Sequence, residues 1–294
     1  MLLYHRIARA DPDPWSLCVT PEHFSEHLDV LRHWRRARLD QVGCSGWRTG
    51  AGKLTVAVTF DDGYADNLHD AARLLIRSDT PATFFLATGY TGGTGEFWWD
   101  ELERIVFHPD GNRVPFNYSA GGMELVYDPN LTARSTYFKL YEKLQPLAHN
   151  RRRHILDRLL EWNGLAARGR ESHRALTSDE VMRLSSEGLF EIGAHTITHP
   201  LLAAQGLGSQ YEELGGSKAW LEKLLAKPVT SFSYPYGGSG HYAPETVRAV
   251  ADCGFARACT TSAHPVNRTD KPYELPRFNV TDMDGEQFER FLFS

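Results

Sequence analysis

Apolar positions recur along the chain in two alternating rhythms. Short apolar runs occur at Leu2-Leu3-Tyr4, from Leu54 to Phe60, in "PATFFLA" at 81–87, and at 189–193, 230–234 and 255–259. Their length and their β-branched and aromatic content predict buried strands. Between them lie stretches with the i, i+3, i+4, i+7 spacing of a helix buried on one face, as in Leu68, Ala71, Ala72 and Leu75. Phe24, Leu28 and Leu31 form another such stripe, behind Thr20 as N-cap and Pro21 in the first turn. Thr177 and Glu180 have the spacing of a capping box, and Gly188 marks the end of the helix they start. Helices over 209–226, 243–252 and 283–292 and a last strand near Leu275 continue the alternation. About seven strands alternating with helices predict a parallel sheet, closed as a barrel or open and doubly wound. In both forms the chemistry sits at the C-terminal ends of the strands.

The rhythm breaks between about 91 and 174. "GEFWWDELERIVF" and the charged run "LTARSTYFKLYEKLQPLAHNRRRHILDRLLEW" predict a helical insertion within a single catalytic domain spanning 1–294. Arg151, Arg152 and Arg153 are expected to form a solvated helix face.

Composition narrows the partners. A chain of 294 residues, 41% hydrophobic and 12% aromatic, can bury a substantial core. A net charge of −5 gives no general attraction to polyanions, so neither nucleic acid nor an acidic membrane face is the expected partner. No apolar stretch reaches the roughly 20 residues of a membrane span, and "MLLYHRIARADPDP" lacks the pattern of a signal peptide, so the cytoplasm is the expected location. Cys18, Cys44, Cys253 and Cys259 show no C-x-x-C spacing and are expected to be free thiols. Nothing in the sequence specifies an oligomeric state.

Two polar clusters lie where strands should end. "TFDDGYADN" puts Asp61 beside Asp62 directly after Phe60. Neighbouring strand residues point to opposite faces, and adjacent carboxylates repel unless a positive group lies between them, so the pair is either a cation site or a polar turn. "GAHTITHP" spaces His195 and His199 four apart, and if that segment were helical both imidazoles would face one side, as two metal ligands must. Thr196 stands where a zincin would need Glu, which excludes that metalloprotease motif. Two histidines and a carboxylate still make a facial site for zinc or another divalent ion, with positions open to water and substrate.

"TFDDG", "HTITHP" and "SYPYG", in that order, resemble the motifs of the polysaccharide deacetylase family, the carbohydrate esterases with a NodB-type domain. The resemblance runs from residue 1 to about 280, the insertion excepted. It implies an α/β fold, a distorted (β/α) barrel, and hydrolysis of an acetamide, or sometimes an ester, on a sugar. By the same resemblance Asp62, His195 and His199 hold a divalent metal, zinc first, with cobalt or nickel as alternatives. Asp61 is then the base that takes a proton from metal-bound water, and the backbone N–H of Tyr236 donates to the oxyanion.

The chain departs from the family pattern twice. Ser233 stands in "FSYPYG" where the family has an Arg that supports the base, and "LPRFNV" carries Arg277 but no His where the family supplies the acid. His5 is the candidate acid. "LLYHRI" puts it at the end of the first strand, as in a subgroup similar to poly-N-acetylglucosamine deacetylases with an N-terminal Tyr-His segment; His264 is the runner-up. Arg277 is the candidate stand-in for the missing Arg. Trp98, Trp99 and Tyr234 are candidates for stacking on sugar rings, against the alternative of core packing. Asp252 and Phe255 fit a helix end and a strand start better than an acid-orienting motif. The function expected is metal-dependent N-deacetylation of a carbohydrate; a weakly catalytic carbohydrate-binding protein on the same scaffold, or a deformylase or O-acetyl esterase, is the alternative.

Overall fold

The structure, a computed structural model, describes residues 1–41, 55–108, 116–120, 123–127 and 130–293. Leu54 and Cys44 lie outside the described residues. The chain divides into two compact units, one formed by Met1–Gly92 with Ala175–Ser294 and the other by Gly93–Arg174.

In the first unit the apolar runs form seven strands: β1 (Leu2–Tyr4), β2 (Val58–Phe60), β3 (Ala82–Leu86), β4 (Phe190–Ala194), β5 (Ser231–Ser233), β6 (Arg257–Cys259) and β7 (Phe278–Asn279). They lie in the order β7-β1-β2-β3-β4-β5-β6 with every pair parallel. Each strand from β2 to β6 sits beside its predecessor in the chain, as in a (β/α) barrel. The ring is open between β6 and β7, where Cys259 and Leu275 form a parallel bridge. This is the distorted barrel of seven parallel strands that the resemblance implies. The last strand starts beyond Leu275 because Leu275 serves β6, while Phe278 pairs with Leu2 of β1.

The two faces of the sheet differ in chemistry. Tyr4, Phe60 and Phe84 share one register, and their rings stack, Tyr4 on Phe60 at 5.5 Å between centroids and Phe60 on Phe84 at 4.9 Å. Phe24 of the helix Pro21–Leu31 meets Tyr4 and Phe60 edge-on, so this is the face that helices cover. By the two-residue alternation of strands, Thr59, Thr83 and Phe85 face the other way. That face is partly polar: Thr83 and Ser231 both donate to the Glu191 carboxylate. It also demands glycine on β4, because a Cβ at Gly193 would sit 2.5 Å from the Phe85 ring.

The second unit holds the helices Trp98–Val106, Ala133–Leu144 and His149–Trp162. It also contains an antiparallel hairpin, Phe116–Ala120 with Met123–Tyr127, where only helix was expected. Trp98 and Trp99 are buried and pack edge to face at 5.8 Å, so the packing alternative applies to both and neither offers an exposed ring. Arg152 is buried as well, its guanidinium 4.7 Å from the Trp98 ring centroid, which corrects the expected solvated face. Its neighbour Arg153 pairs with Glu101 and Asp157. Among the described residues, no helix of either unit is long and apolar enough to cross a membrane. Cys18, Cys253 and Cys259 are free thiols.

Candidate active site

The C-terminal rim of β1, β2, β4 and β5 gathers the polar motifs. Thr59 and Asp61 are two residues apart and point the same way, and both meet the guanidinium of Arg277. Arg277 Nη1 donates to Thr59 Oγ1 at 3.1 Å and to Asp61 Oδ1 at 2.7 Å, while Nη2 donates to Asp61 Oδ2 at 2.7 Å. Nη2 also donates to Ser233 Oγ at 2.7 Å, which obliges the Ser233 hydroxyl to pass its own hydrogen to Asp61 Oδ2, 2.9 Å away. Nε completes the set with a bond to the Thr260 carbonyl at 3.0 Å. Arg277 and Asp61 are both buried. Burial pushes the Asp61 carboxyl up, but the charges of Arg277, His195 and His5 and the hydrogen bonds from Arg277 outweigh it and hold the group at about 2.

Asp62, the next residue, turns away from that pair. Its φ of 72° takes the chain out of the strand into the left-handed region, and the following Gly63, at φ 89°, packs so closely that a Cβ would lie 2.7 Å from Leu86 Cδ2. Asp62 Oδ1 then lies 3.5 Å from His195 Nε2 and 3.4 Å from His199 Nε2. The three donor atoms lie within 4.8 Å of one another, and all three residues are buried. These separations exceed hydrogen-bond length. They match what a shared ion demands, since ligand bonds of about 2.0–2.1 Å at tetrahedral angles put the donor atoms roughly 3.4 Å apart.

The His195–His199 segment is not helical, as the spacing alone allowed, but a tight turn. Thr196 and His199 adopt positive φ of 67° and 51°. The hydroxyl of Thr196 accepts from the His199 N–H at 3.1 Å, and Glu213 of the helix Leu207–Leu225 accepts from the backbone N–H groups of Ile197 and Thr198 at 2.7 and 2.8 Å. His195 Nδ1 meets the Ser233 carbonyl at 2.7 Å. Donation there fixes the tautomer and leaves the Nε2 lone pair toward Asp62, the outer-shell arrangement that orients a ligating imidazole. Ser233 therefore serves both halves of the site, its hydroxyl holding Asp61 and its carbonyl holding His195.

Tyr236 has φ of 64°, and its hydroxyl donates to the His199 carbonyl at 3.3 Å. Asp62, Thr196, His199 and Tyr236 thus concentrate left-handed backbone at one rim. Each such non-glycine residue costs on the order of 1–3 kcal/mol and persists only where its surroundings over-determine it, a frequent property of functional sites. His5 lies between β1 and the strand Arg6–Ile7, half-buried on the same rim, where its charge acts on Asp61.

Other candidates fall elsewhere. Tyr234 is buried, stacks on Tyr242 at 4.3 Å and donates to the Tyr273 carbonyl at 3.0 Å, so it packs the core rather than offering a face to a sugar. His264 is exposed, and its Nδ1 meets the neighbouring Pro265 carbonyl. Asp252 accepts from the Tyr211 hydroxyl at 2.7 Å as a helix-end residue. A second buried group, Asp100, Glu103 and His173, lies within the second unit. Its Glu103 is already in an ion pair with Arg170 at 2.8 Å, part of a network that includes Glu96. Sequence reasoning missed Glu213 and the double role of Ser233. Glu213 is one of several acids on its helix, next to Glu212, and carries no pattern, whereas Ser233 was visible as the residue replacing an expected Arg.

A family model described as polysaccharide deacetylase matches residues 49–110 and 153–258. YxkH of Bacillus subtilis (strain 168), whose name assigns it provisionally to the polysaccharide deacetylases, is 28% identical over 118 residues, 40% of this chain. The match spans 41% of that relative's length. Among solved structures, a Streptococcus pyogenes deacetylase, PplD, in complex with acetate, superposes with a TM-score of 0.64 at 18% identity, covering 98% of this chain and 95% of PplD. IcaB from Ammonifex degensii also gives 0.64 at 18% identity, covering 100% of this chain and 96% of IcaB. At such identity the likeness is one of fold. The motif residues Asp61, Asp62, His195, His199 and Tyr236 fall inside the matched segments, while His5 and Arg277 fall outside them. By that match, which covers more than half of its residues, the chain belongs to the polysaccharide deacetylase family.

Proposed function

We propose that the protein is a metal-dependent carbohydrate N-deacetylase, which hydrolyses the acetamide of an N-acetylated sugar to acetate and a free amine. The observation that carries this reading is the placement of the Asp62, His195 and His199 donors beside an Asp61 carboxylate held by Arg277. A divalent ion on those three donors, zinc first, supplies Lewis acidity, which acidifies water and polarises the acyl oxygen.

The rest of the chemistry falls to the chain. A carboxylate has about four acceptor sites, and Arg277 and Ser233 fill three of those on Asp61. The remaining site, on Oδ1, is where Asp61 takes the proton of the attacking water. The bidentate guanidinium keeps the carboxylate ionised and fixes its direction, so orientation is settled before substrate arrives. As the water oxygen adds to the acyl carbon, the oxyanion takes a hydrogen bond from the Tyr236 backbone N–H, whose direction is set by the left-handed conformation of that residue. His5 gives a proton to the nitrogen as the carbon–nitrogen bond breaks, the role left open by the absence of a His in "LPRFNV".

The test is acetate release by the zinc-, cobalt- or nickel-supplied protein from a panel of N-acetylated oligosaccharides. Asp61→Asn should bind metal as the parent does and lose at least about a hundredfold in turnover, as expected for removal of a general base. An Asp61→Asn protein of full activity would remove Asp61 from the mechanism.

A further inference from the structure

The acidic motif does not end at Asp62. Four residues on, Asp66 and Asn67 grip the segment that carries His5. Asp66 Oδ2 accepts from Arg6 Nε at 2.9 Å, and Oδ1 accepts from the Ile7 backbone N–H at 3.1 Å. Asn67 Nδ2 donates to the His5 carbonyl at 2.8 Å and to Asp66 Oδ1 at 3.2 Å. One residue before His5, the Tyr4 carbonyl accepts from the Asp61 N–H at 3.0 Å. Groups of four consecutive residues, Tyr4 to Ile7, are therefore held from the single stretch 61–67.

The chemistry of this grip is informative. Arg6 is buried and the side chain of its partner Asp66 is only 9% exposed, and Arg6 also lies over the Tyr64 ring at 4.4 Å. A buried ion pair adds little net stability over an apolar pair of the same shape, while it fixes geometry closely. Asn67 is fully buried and opens a π-helical turn, Asn67–Ala71, a rare conformation that is frequent at functional sites. His5 itself lies between two short strands, where ladder hydrogen bonds do not define its backbone.

We propose that Asp66 and Asn67 are positioning residues for the proton donor: they fix the backbone of residues 5–7 so that the His5 imidazole keeps one orientation toward the leaving nitrogen. This rests on the assignment of His5 as the acid in the mechanism above. A purely structural anchor would affect all reactions of the site alike. A positioning role is selective, because a poor leaving group such as a sugar amine needs protonation and 4-nitrophenolate does not.

The experiment compares turnover of the best oligosaccharide of the panel with turnover of 4-nitrophenyl acetate, using the full chain supplied with zinc. Asn67→Ala should lower the amide-to-ester ratio of kcat about tenfold with KM for the oligosaccharide little changed. His5→Gln should lower that ratio further, and the double variant His5→Gln/Asn67→Ala should be no worse than His5→Gln alone. If Asn67→Ala does not fold, Asp66→Asn, which keeps the shape and removes the charge facing Arg6, carries the same expectation. An unchanged ratio in these variants, or losses that multiply with that of His5→Gln, would overturn the positioning role while leaving His5 as the acid. An unchanged ratio in His5→Gln itself would overturn the acid assignment, and the positioning role with it.

Discussion

Asp61 and Asp62 are neighbours with opposite surroundings, and the difference arises within one residue of backbone. Asp61 continues the alternation of β2 onto the side of Thr59 and meets Arg277, whereas Asp62, already left-handed, faces two imidazoles. The guanidinium is what permits the first of these. Removing it would strand a buried carboxylate, so Arg277→Met should destabilise the fold by roughly 3–5 kcal/mol, measured by urea unfolding. Arg277→Lys keeps the charge but cannot span both carboxylate oxygens, so it should recover part of that stability while still losing turnover. Equal stability of Arg277→Met and the parent would show that the pair contributes little beyond its burial. The pairing partners are 216 residues apart in the chain. Only the resemblance, whose pattern puts an Arg beside the base, pointed to Arg277 from sequence; its contacts with Thr59, Ser233 and Thr260 carry no sequence signal.

At the scale of elements, strands were legible because each is a compact apolar run, and helices because their caps and stripes coincide. What the periodicity could not show was backbone of unusual hand. His195 and His199 have helical spacing, yet positive φ at Thr196 and His199 bends the segment into a turn, and the helix after Asp62 opens with a π-helical turn. The hairpin Phe116–Tyr127 was masked by the charged helical sequence around it, although Gly121-Gly122 between two apolar-alternating runs was its signal. Helix packing also carries a pH response. His27 of the helix Pro21–Leu31 stacks on Phe288 of the helix Gly285–Leu292 at 4.0 Å, accepts from Tyr4 and donates to the Met283 carbonyl. Burial, only partly offset by that carbonyl, pushes its imidazole down to about 4. An unfolded His titrates near 6.5, so between those values the unfolded chain binds more protons, and stability present above 6.5 is lost as pH falls toward 4. The loss should amount to roughly 3 kcal/mol. Urea unfolding at pH 7 and pH 4.5 measures it, and His27→Gln should flatten the slope; an unaltered slope would assign the pH response to other groups.

For the molecule as a whole, all the residues given a role lie in the first unit, the broken barrel of Met1–Gly92 and Ala175–Ser294. The second unit buries Trp98, Trp99 and Arg152 against one another, which sequence composition could not reveal. The sheet brings Asp61, Asp62, His195, His199, Ser233 and Arg277 together from β2, β4, β5 and the segment before β7, so the strands from β7 round to β5 must assemble for this cluster to exist. Dependence of deacetylation on a metal held by Asp62, His195 and His199 is decided by stripping the protein with a chelator, titrating zinc back, and measuring bound zinc and released acetate in the same sample. Metal-dependent deacetylation at this site predicts about one zinc per chain, acetate release from an N-acetylated oligosaccharide rising in step with it, and loss of both in His199→Ala. Full acetate release from the stripped protein, or unchanged zinc binding in His199→Ala, would contradict it.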